Sequence, residues 1–358
     1  MWQIELKKRI WGYERWAADM EKILPAFEKN NIAIAFASND FFVPYMATMI
    51  YSVAVNGSRE NNYDIVILTS DISKENEQIL VNMLVDFANV SLRIVNVEKY
   101  VSAYNFYTKN KEGLTKETYY RLLIPEIMSE YEKVLYLDGD MVALVDVADL
   151  FNIDLTGYLL ASSRDLCGLI DYYNPLTGLK KYRDKELKLK QPNDYFIAGM
   201  LLINIKEFQK TYATEYLLDF AASREWRQHD QDVLNVLCDG RVKLVSAAWD
   251  VMKPEFNQYL PEYLQQELLS SLENAKIVHF GGDMKPWLCM DAPFSEYFWR
   301  YAARTPYIQE IIKRRIELDK GVYSVRGAME QEFRQGKVGA RYIVKYIKAW
   351  LAYKMKRN

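Results

Sequence analysis

Apolar and polar positions alternate in blocks along this chain, and the blocks change character several times. Residues 2–29 place Ile4, Trp11, Tyr13, Trp16, Met20, Ile23, Leu24 and Phe27 near helical spacing, which predicts an amphipathic helix. The run Asn31–Ala37 (NIAIAFA) is short and apolar and ends at the polar turn Ser38-Asn39-Asp40, as a buried strand does. A helix is expected over Pro44–Val55, a strand over Asp64–Thr69, a helix over Ser73–Phe87 and a strand over Ser91–Val97. Thr115–Ser129 reads as helical, and Lys133–Leu137 (KVLYL) as a fourth strand that stops at Asp138-Gly139-Asp140. Strands alternating with helices of this length predict an α/β fold with a mainly parallel sheet covered on both faces.

Beyond Gly157 the alternation loosens. Leu159–Ser163 and the run Ala198–Ile205 (AGMLLINI) read as strands, and Asp171–Asp194 as a polar loop. Glu207–Ser223 and Asp230–Cys238 are expected to be helical, and Ala275–Phe280 (AKIVHF) delivers His279 at a strand end. Ala328–Met355 has the marks of a basic, aromatic helix. The expected organisation is an N-terminal helical extension over 1–30, a main domain over 31–290 and a helical C-terminal region over 291–358.

Composition narrows the function classes. A formal net charge of −2 excludes a nucleic-acid footprint for the whole chain. Residues 326–358 alone carry +7, which leaves about −9 on the remainder. In that tail Tyr342, Tyr346, Trp350 and Leu351 interleave with Arg341, Lys345, Lys348 and Lys354. A helix of this kind suits an anionic membrane surface, with rings and lysine stems at the headgroup level, or packing on the protein's own surface. Cys167, Cys238 and Cys289 form no CxxC, so neither a zinc knuckle nor a disulfide framework is expected, and a reducing cytoplasm fits. The charged N-terminus lacks the apolar core of a signal peptide, and no stretch is apolar enough to span a membrane.

Three motifs carry candidate chemistry. In VLYLDGDMV, Asp138 and Asp140 flank Gly139 directly after an apolar strand, where ligands of parallel α/β sheets bind. Two carboxylates there can hold a hard divalent cation against phosphate oxygens, although a DxD triplet by itself also suits a solvated turn. In HFGGDMKPW, His279 ends a strand, Gly282 permits close backbone approach to a phosphate, and Lys285 supplies positive charge. His279 reads either as a third metal ligand or as a satisfied strand-end residue. In His229-Asp230-Gln231-Asp232, at a helix start, Asp230 and Gln231 could meet sugar hydroxyls, or Asp230 could cap the helix, with His229 on the surface.

Together these residues resemble glycosyltransferase family eight, which includes bacterial lipopolysaccharide α-galactosyl- and α-glucosyltransferases and glycogenin. The resemblance runs from about Asn31 to Trp287, and the pairing of VLYLDGDMV with HFGGDMKPW is what makes it specific. It implies a GT-A type, Rossmann-like nucleotide-sugar domain that uses a UDP-hexose and Mn2+ or Mg2+. It also implies transfer with retention to a glycan, glycolipid or glycoprotein acceptor, as in cell-surface polysaccharide biosynthesis; the cysteine usage suits a cytoplasmic protein, and the basic tail one that is peripheral at the inner face of the membrane. By resemblance, Asp138, Asp140 and His279 are metal ligands, Gly282 and Lys285 contact the diphosphate, and Ala37, Asn39 and Asp40 hold uracil and ribose. Phe42 stands where a ring stacks on the base, and Arg121 where an arginine meets the donor. Asp230 and Gln231 match the pair beside the donor sugar, and Asp165 loosely matches an acidic residue near the acceptor. Two departures stand out. The family often has asparagine where Ile197 stands, and Asp-Asp-Asn-Tyr where this chain has Asn39-Asp40-Phe41-Phe42. Retention without an evident carboxylate nucleophile favours same-face attack, with Gln231 the nearest candidate for a covalent alternative. A non-catalytic UDP-sugar binder shares the same motifs. A nucleotidyltransferase would want a Gly-rich phosphate loop near the first strand, and none is present.

Overall fold

The computed structural model describes residues 22–108, 115–253, 259–282 and 284–318, together with Val344, Lys348 and Leu351. Seven strands form one sheet in the order β3-β2-β1-β4-β7-β6-β8. They are β1 (Asn31–Ala37), β2 (Asn62–Thr69), β3 (Val90–Asn96), β4 (Lys133–Leu137), β6 (Leu160–Ser163), β7 (Met200–Asn204) and β8 (Val242–Val245). Only β7 runs against the others, being antiparallel to both β4 and β6. The sheet is thus mainly parallel, as the alternation predicts, and its central strands bury both faces because their residues are nearly all apolar, buried Asp64 in β2 being paired with Arg93.

A separate two-stranded ladder pairs β5 (Met141–Ala143) with β9 (Ile277–His279), antiparallel, with Met141 opposite His279. This ladder decides where the chemistry sits. It turns the chain back immediately after Asp140 and brings a strand from more than a hundred residues later alongside it.

Several local expectations are corrected. Lys22–Asn30, the described end of the expected N-terminal helix, is irregular, and residues 2–21 lie outside the described residues. Pro25 breaks helical bonding, and the backbone bonds go elsewhere: Ile23 N–H donates to Ile127 O at 2.9 Å and Ala26 N–H to buried Asp64 at 2.8 Å. Within Thr115–Ser129, residues Lys116–Leu123 form a 3-10 helix, and α-helix occupies only Ile124–Ile127. Pro125 is the cause: inside a continuous α-helix its ring would clash with the carbonyl one turn back, whereas it is tolerated in a first turn. The stretch 171–194 is not a plain loop. It contains the end of a helix (Leu166–Tyr173), a short helix (Leu179–Lys181), a π-helix (Tyr182–Leu187) and a 3-10 turn. Leu179, Tyr182, Arg183 and Leu187 are buried at helical spacing beneath its charged surface. Glu207–Ser223 is two helices, Ile205–Thr211 and Thr214–Ala222. They part at Tyr212, which is extended and donates its hydroxyl to Leu237 O at 2.6 Å.

Past residue 290, Ser295–Ala302 is helical and packs on the helix Val43–Asn56, and residues 308–318 are helical as well. Phe298, Tyr301, Tyr307 and Ile311 join the main core. Of the expected basic tail helix, Val344, Lys348 and Leu351 are helical and the rest lies outside the described residues. Among the described residues no helix is long and apolar enough to cross a membrane.

One surface group carries a stability prediction. The carboxyl of Glu215 is raised to about 7, chiefly by burial and then by repulsion from Asp219 and Glu126. A carboxyl with a folded pKa above its unfolded one prefers the neutral form in the native state. Its penalty is absent below the unfolded pKa, grows as pH rises, and is complete above the folded pKa. Glu215→Gln should therefore raise unfolding free energy by about 1 kcal/mol at pH 8, after allowance for solvent screening, and leave it unchanged at pH 4. Urea titrations at the two pH values check this, and equal effects at both would contradict it.

Candidate functional site

The site forms at the carboxyl ends of β1 and β4, which are adjacent and parallel. Asp138 leaves β4 with its N–H donated to Gly199 O at 2.8 Å, and Phe280 N–H donates to Asp140 O at 2.8 Å. These two bonds tie the VLYLDGDMV and HFGGDMKPW motifs and the turn before β7 into one frame. Asp138, Asp140 and His279 each offer a ligand atom, and these atoms lie within 4.8 Å of one another. His279 Nε2 is 3.3 Å from Asp140 Oδ1 and 3.9 Å from Asp138 Oδ2.

The three side chains are held from behind. His279 Nδ1 lies 2.9 Å from Asp250 Oδ1, a wholly buried carboxylate placed by the bridge between Val251 and Val278. That contact leaves Nε2 for the two aspartates. Asp138 Oδ1 accepts from the Tyr136 hydroxyl at 2.8 Å and from Arg121 at 2.9 Å. Lys285 Nζ donates to Asp140 Oδ2 at 2.5 Å and to Phe280 O at 2.8 Å. The approach is tight at Gly199, where a Cβ would lie 2.5 Å from the imidazole and 3.1 Å from Asp138 Oδ2. Gly139 packs on Met46, and Gly282 is left-handed (φ +76°) with open space around its Cα.

Electrostatics follow from this crowding. Burial alone would raise the Asp140 carboxyl, but Lys285 and His279 hold it far below its usual range. Burial disfavours imidazolium, yet Asp250 and Asp140 outweigh it and keep the His279 pKa well above its usual value. Two carboxylates and a buttressed imidazole are a donor set that suits a divalent cation such as Mn2+ or Mg2+, and the residues present fit one.

Arg121, buried over the Tyr136 ring, donates to Ala198 O and Thr118 O as well as to Asp138. Its Nε also lies 3.0 Å from Asp230 Oδ2, a charge contact without hydrogen-bond geometry. Asp230 accepts from the Thr118 hydroxyl. Its carboxyl is raised to about 6 by burial, with Arg121 opposing the rise. Gln231 accepts from Ala198 N–H at 2.9 Å and donates to Asp165 at 3.0 Å. Asp165 caps the helix Leu166–Tyr173 through Gly168 N–H and faces buried Arg183 at 3.4 Å. Asp138, Arg121, Asp230, Gln231 and Asp165 thus form a connected polar network, with buried Ile197 beside it.

Asp230 is not the helix cap. The helix begins at His229 after Gln228, whose N–H donates to Asp232 at 2.7 Å. His229 is corrected from surface to core: it is 2% exposed, has φ +51° and stacks on Tyr107.

At the end of β1, Ala37 leads into a 3-10 turn over Asp40–Phe42. Asn39 Oδ1 caps it by accepting from Phe42 N–H at 3.0 Å. Asp40 accepts from Ser73 N–H, the Ser73 hydroxyl and Asn76, each at 2.8 Å. Burial opposes ionisation of Asp40, but these bonds lower its pKa. Phe42 meets Tyr45 and Trp287 edge-on at 5.2 and 5.9 Å, and Tyr45 stacks on Trp287 at 4.2 Å. The structure therefore brings the first-strand turn and Trp287, two residues after Lys285, into contact.

Asp250 and Gly199 were not legible in the sequence as site residues. Asp250 stands in AAWDV with no local signal. Tyr136, two residues before Asp138, could have been read from strand alternation, which puts both side chains on one face.

Known proteins resemble this chain in sequence and fold. The family model described as glycosyl transferase family 8 matches residues 33–291. A putative glycosyltransferase of Haemophilus influenzae is 28% identical over 219 residues, covering 60% of this chain and 61% of that protein. Among solved structures, the bifunctional glycosyltransferase WbbM superposes with a TM-score of 0.72 at 25% identity, covering 82% of this chain and 53% of that one. The galactosyltransferase LgtC, solved with donor and acceptor sugar analogues, gives 0.62 at 23% identity, covering 77% and 96%, and shares the fold. The chain thus spans little more than half the length of WbbM and under two thirds of the Haemophilus protein.

Proposed function

Because the chain belongs to glycosyltransferase family 8, we propose that it moves a hexose, glucose or galactose, from a UDP-sugar to a glycan, lipid-linked glycan or glycoprotein, with retention of configuration. The observation that carries this reading is the convergence of Asp138, Asp140 and His279 within 4.8 Å, with Lys285 bonded to the same cluster. Those three residues would hold Mn2+ or Mg2+, which when bound supplies positive charge to neutralise the departing diphosphate.

The chain's own residues have separate tasks in this reading. Lys285 and the left-handed backbone at Gly282 meet the diphosphate, so charge growing on it faces a preplaced cation. Asn39, Asp40 and Phe42 hold the nucleoside. Asp230, Gln231 and Arg121 border the hexose. Both ends of the Gln231 amide are engaged, by Ala198 and Asp165. That supports a positioning task for Gln231 and same-face attack by the acceptor hydroxyl, its proton passing to the departing UDP. Ile197, where the family often has asparagine, gives the sugar pocket one apolar wall and bears on which hexose enters.

The test is direct. The protein incubated with UDP-glucose or UDP-galactose and Mn2+ should release UDP together with free sugar, faster for one donor, and far less in excess EDTA. Proton NMR of the first sugar formed reads the anomer, which should be α. Tight UDP binding without UDP release from any UDP-hexose would instead favour a non-catalytic UDP-sugar-binding protein.

A further inference from the structure

The residues after the matched family segment do more than fill the core. We infer that residues 307–318, helical from 308, are a working part of the nucleotide site, in which Arg314 and Tyr307 clamp the Asp40–Phe42 turn in its binding conformation. This rests on the reading of that turn as the nucleoside subsite.

The turn has little of its own to hold it. Three residues of 3-10 helix supply two backbone bonds, Phe42 N–H to Asn39 O at 3.1 Å and Val43 N–H to Asp40 O, beside the Asn39 cap, and Phe41 is 64% exposed. A turn so short is conformationally cheap to open, and whatever it recognises would have to order it. Two other segments supply restraints: residues 71–76 hold Asp40, with Asp71 accepting its N–H at 3.1 Å and Ser73 and Asn76 donating to its carboxylate, and residues 307–314 hold Phe41 and brace Asn76. Arg314 donates from Nη1 to Phe41 O at 2.6 Å and lies over the Phe41 ring at 4.4 Å and the Tyr45 ring at 5.8 Å. Its other terminal nitrogen is fixed by Glu310, one helical turn back. Tyr307, 2% exposed, donates its hydroxyl to Asn76 Oδ1 at 3.0 Å, and Asn76 in turn donates to Asp40 at 2.8 Å. One segment therefore grips the turn at two successive residues, the Phe41 carbonyl directly and the Asp40 carboxylate through Asn76. The segment itself is anchored by wholly buried Ile311. The turn's third residue, Phe42, leans on Trp287 of the diphosphate motif, so motion at Phe41 would reach the ring that faces the base.

Preorganisation of this kind shows in binding: a loose turn must be ordered at the moment the ligand arrives. Arg314→Ala should weaken UDP binding about tenfold by calorimetry and raise KM for the UDP-sugar, with kcat at saturation and Mn2+ affinity near wild type. Arg314→Lys should fall between, since an ammonium can reach Phe41 O but lacks the planar stack. Tyr307→Phe should cost less than Arg314→Ala, in the same direction. Phe42→Ala serves as the control for the subsite. If it weakens UDP while Arg314→Ala and Tyr307→Phe stay within twofold of wild type, the clamp is overturned. If none of the three alters UDP binding, the nucleoside subsite is misplaced and the inference falls with it. If Arg314→Ala also loses Mn2+ binding, it has damaged the fold, and the Lys and Phe variants, judged by the same twofold limit, decide.

Discussion

Asp140→Asn should lower turnover on the order of a thousandfold at saturating Mn2+ and UDP-sugar, the loss that several kcal/mol of transition-state charge stabilisation implies. Asp140 is the densest point of the site. One oxygen faces His279 Nε2 and the other bonds Lys285, so the substitution removes the negative charge that both partners share. The amide keeps an oxygen for Lys285, which also retains Phe280 O. No buried cation is left wholly unpaired, and the melting temperature should stay within a few degrees of wild type. The pattern to look for is a folded protein that has lost both metal affinity and UDP release. Turnover within tenfold of wild type, or full activity in excess EDTA, would show that Asp138, Asp140 and His279 do not share an ion.

The parts of this molecule that were readable in advance are those whose signal is local. β1 and β4 match their expected bounds because each is an unbroken apolar run closed by polar residues, Ser38-Asn39-Asp40 in one case and Asp138-Gly139-Asp140 in the other. The cluster of Asp138, Asp140 and His279 was readable because each member sits at or just past such a strand end. β5 and β8 were not readable. They have three and four residues, and pairing with β9 and β6 makes them strands where propensity alone does not. His229 went wrong for a related reason: an imidazole next to three polar residues looks exposed, but Tyr107, from a distant segment, covers it. The π-helix at Tyr182–Leu187 was hidden by its lysines and acids, although its buried positions have helical spacing. Arg314 stands in no motif that the sequence offers, and only the tertiary fold lays it on the Asp40–Phe42 turn.

Asp250 is the strongest case of a site residue that only the fold reveals, and it carries the second large expectation. Its carboxylate is wholly buried, and burial pushes its pKa up while the neighbouring imidazole pulls it down. Such a group is costly to keep unless it is paired, and its partner among the described residues is His279 Nδ1 at 2.9 Å. With the Nδ1 proton held by Asp250, Nε2 is aimed at the two aspartates and would offer its lone pair to an ion that displaces its own proton, and the ring cannot rotate away without breaking a buried charge-assisted bond. Asp250→Ala removes this restraint and leaves Nδ1 without an acceptor. Metal affinity should fall about 10–100-fold, as when the outer partner of a ligating histidine is lost. Asp250→Asn should fall less, because an amide oxygen can still accept from Nδ1–H. The two kinetic constants should separate: the Mn2+ concentration for half-maximal activity rises by that factor, while the rate at saturating Mn2+ recovers most of its wild-type value. Asp140→Asn cannot be rescued in this way, because it removes a ligand rather than the support of one. Titration of Mn2+ by electron paramagnetic resonance gives the affinity without reference to turnover. An unchanged Mn2+ affinity in Asp250→Ala would mean that packing alone orients His279 and that the buried carboxylate has no part in holding the ion.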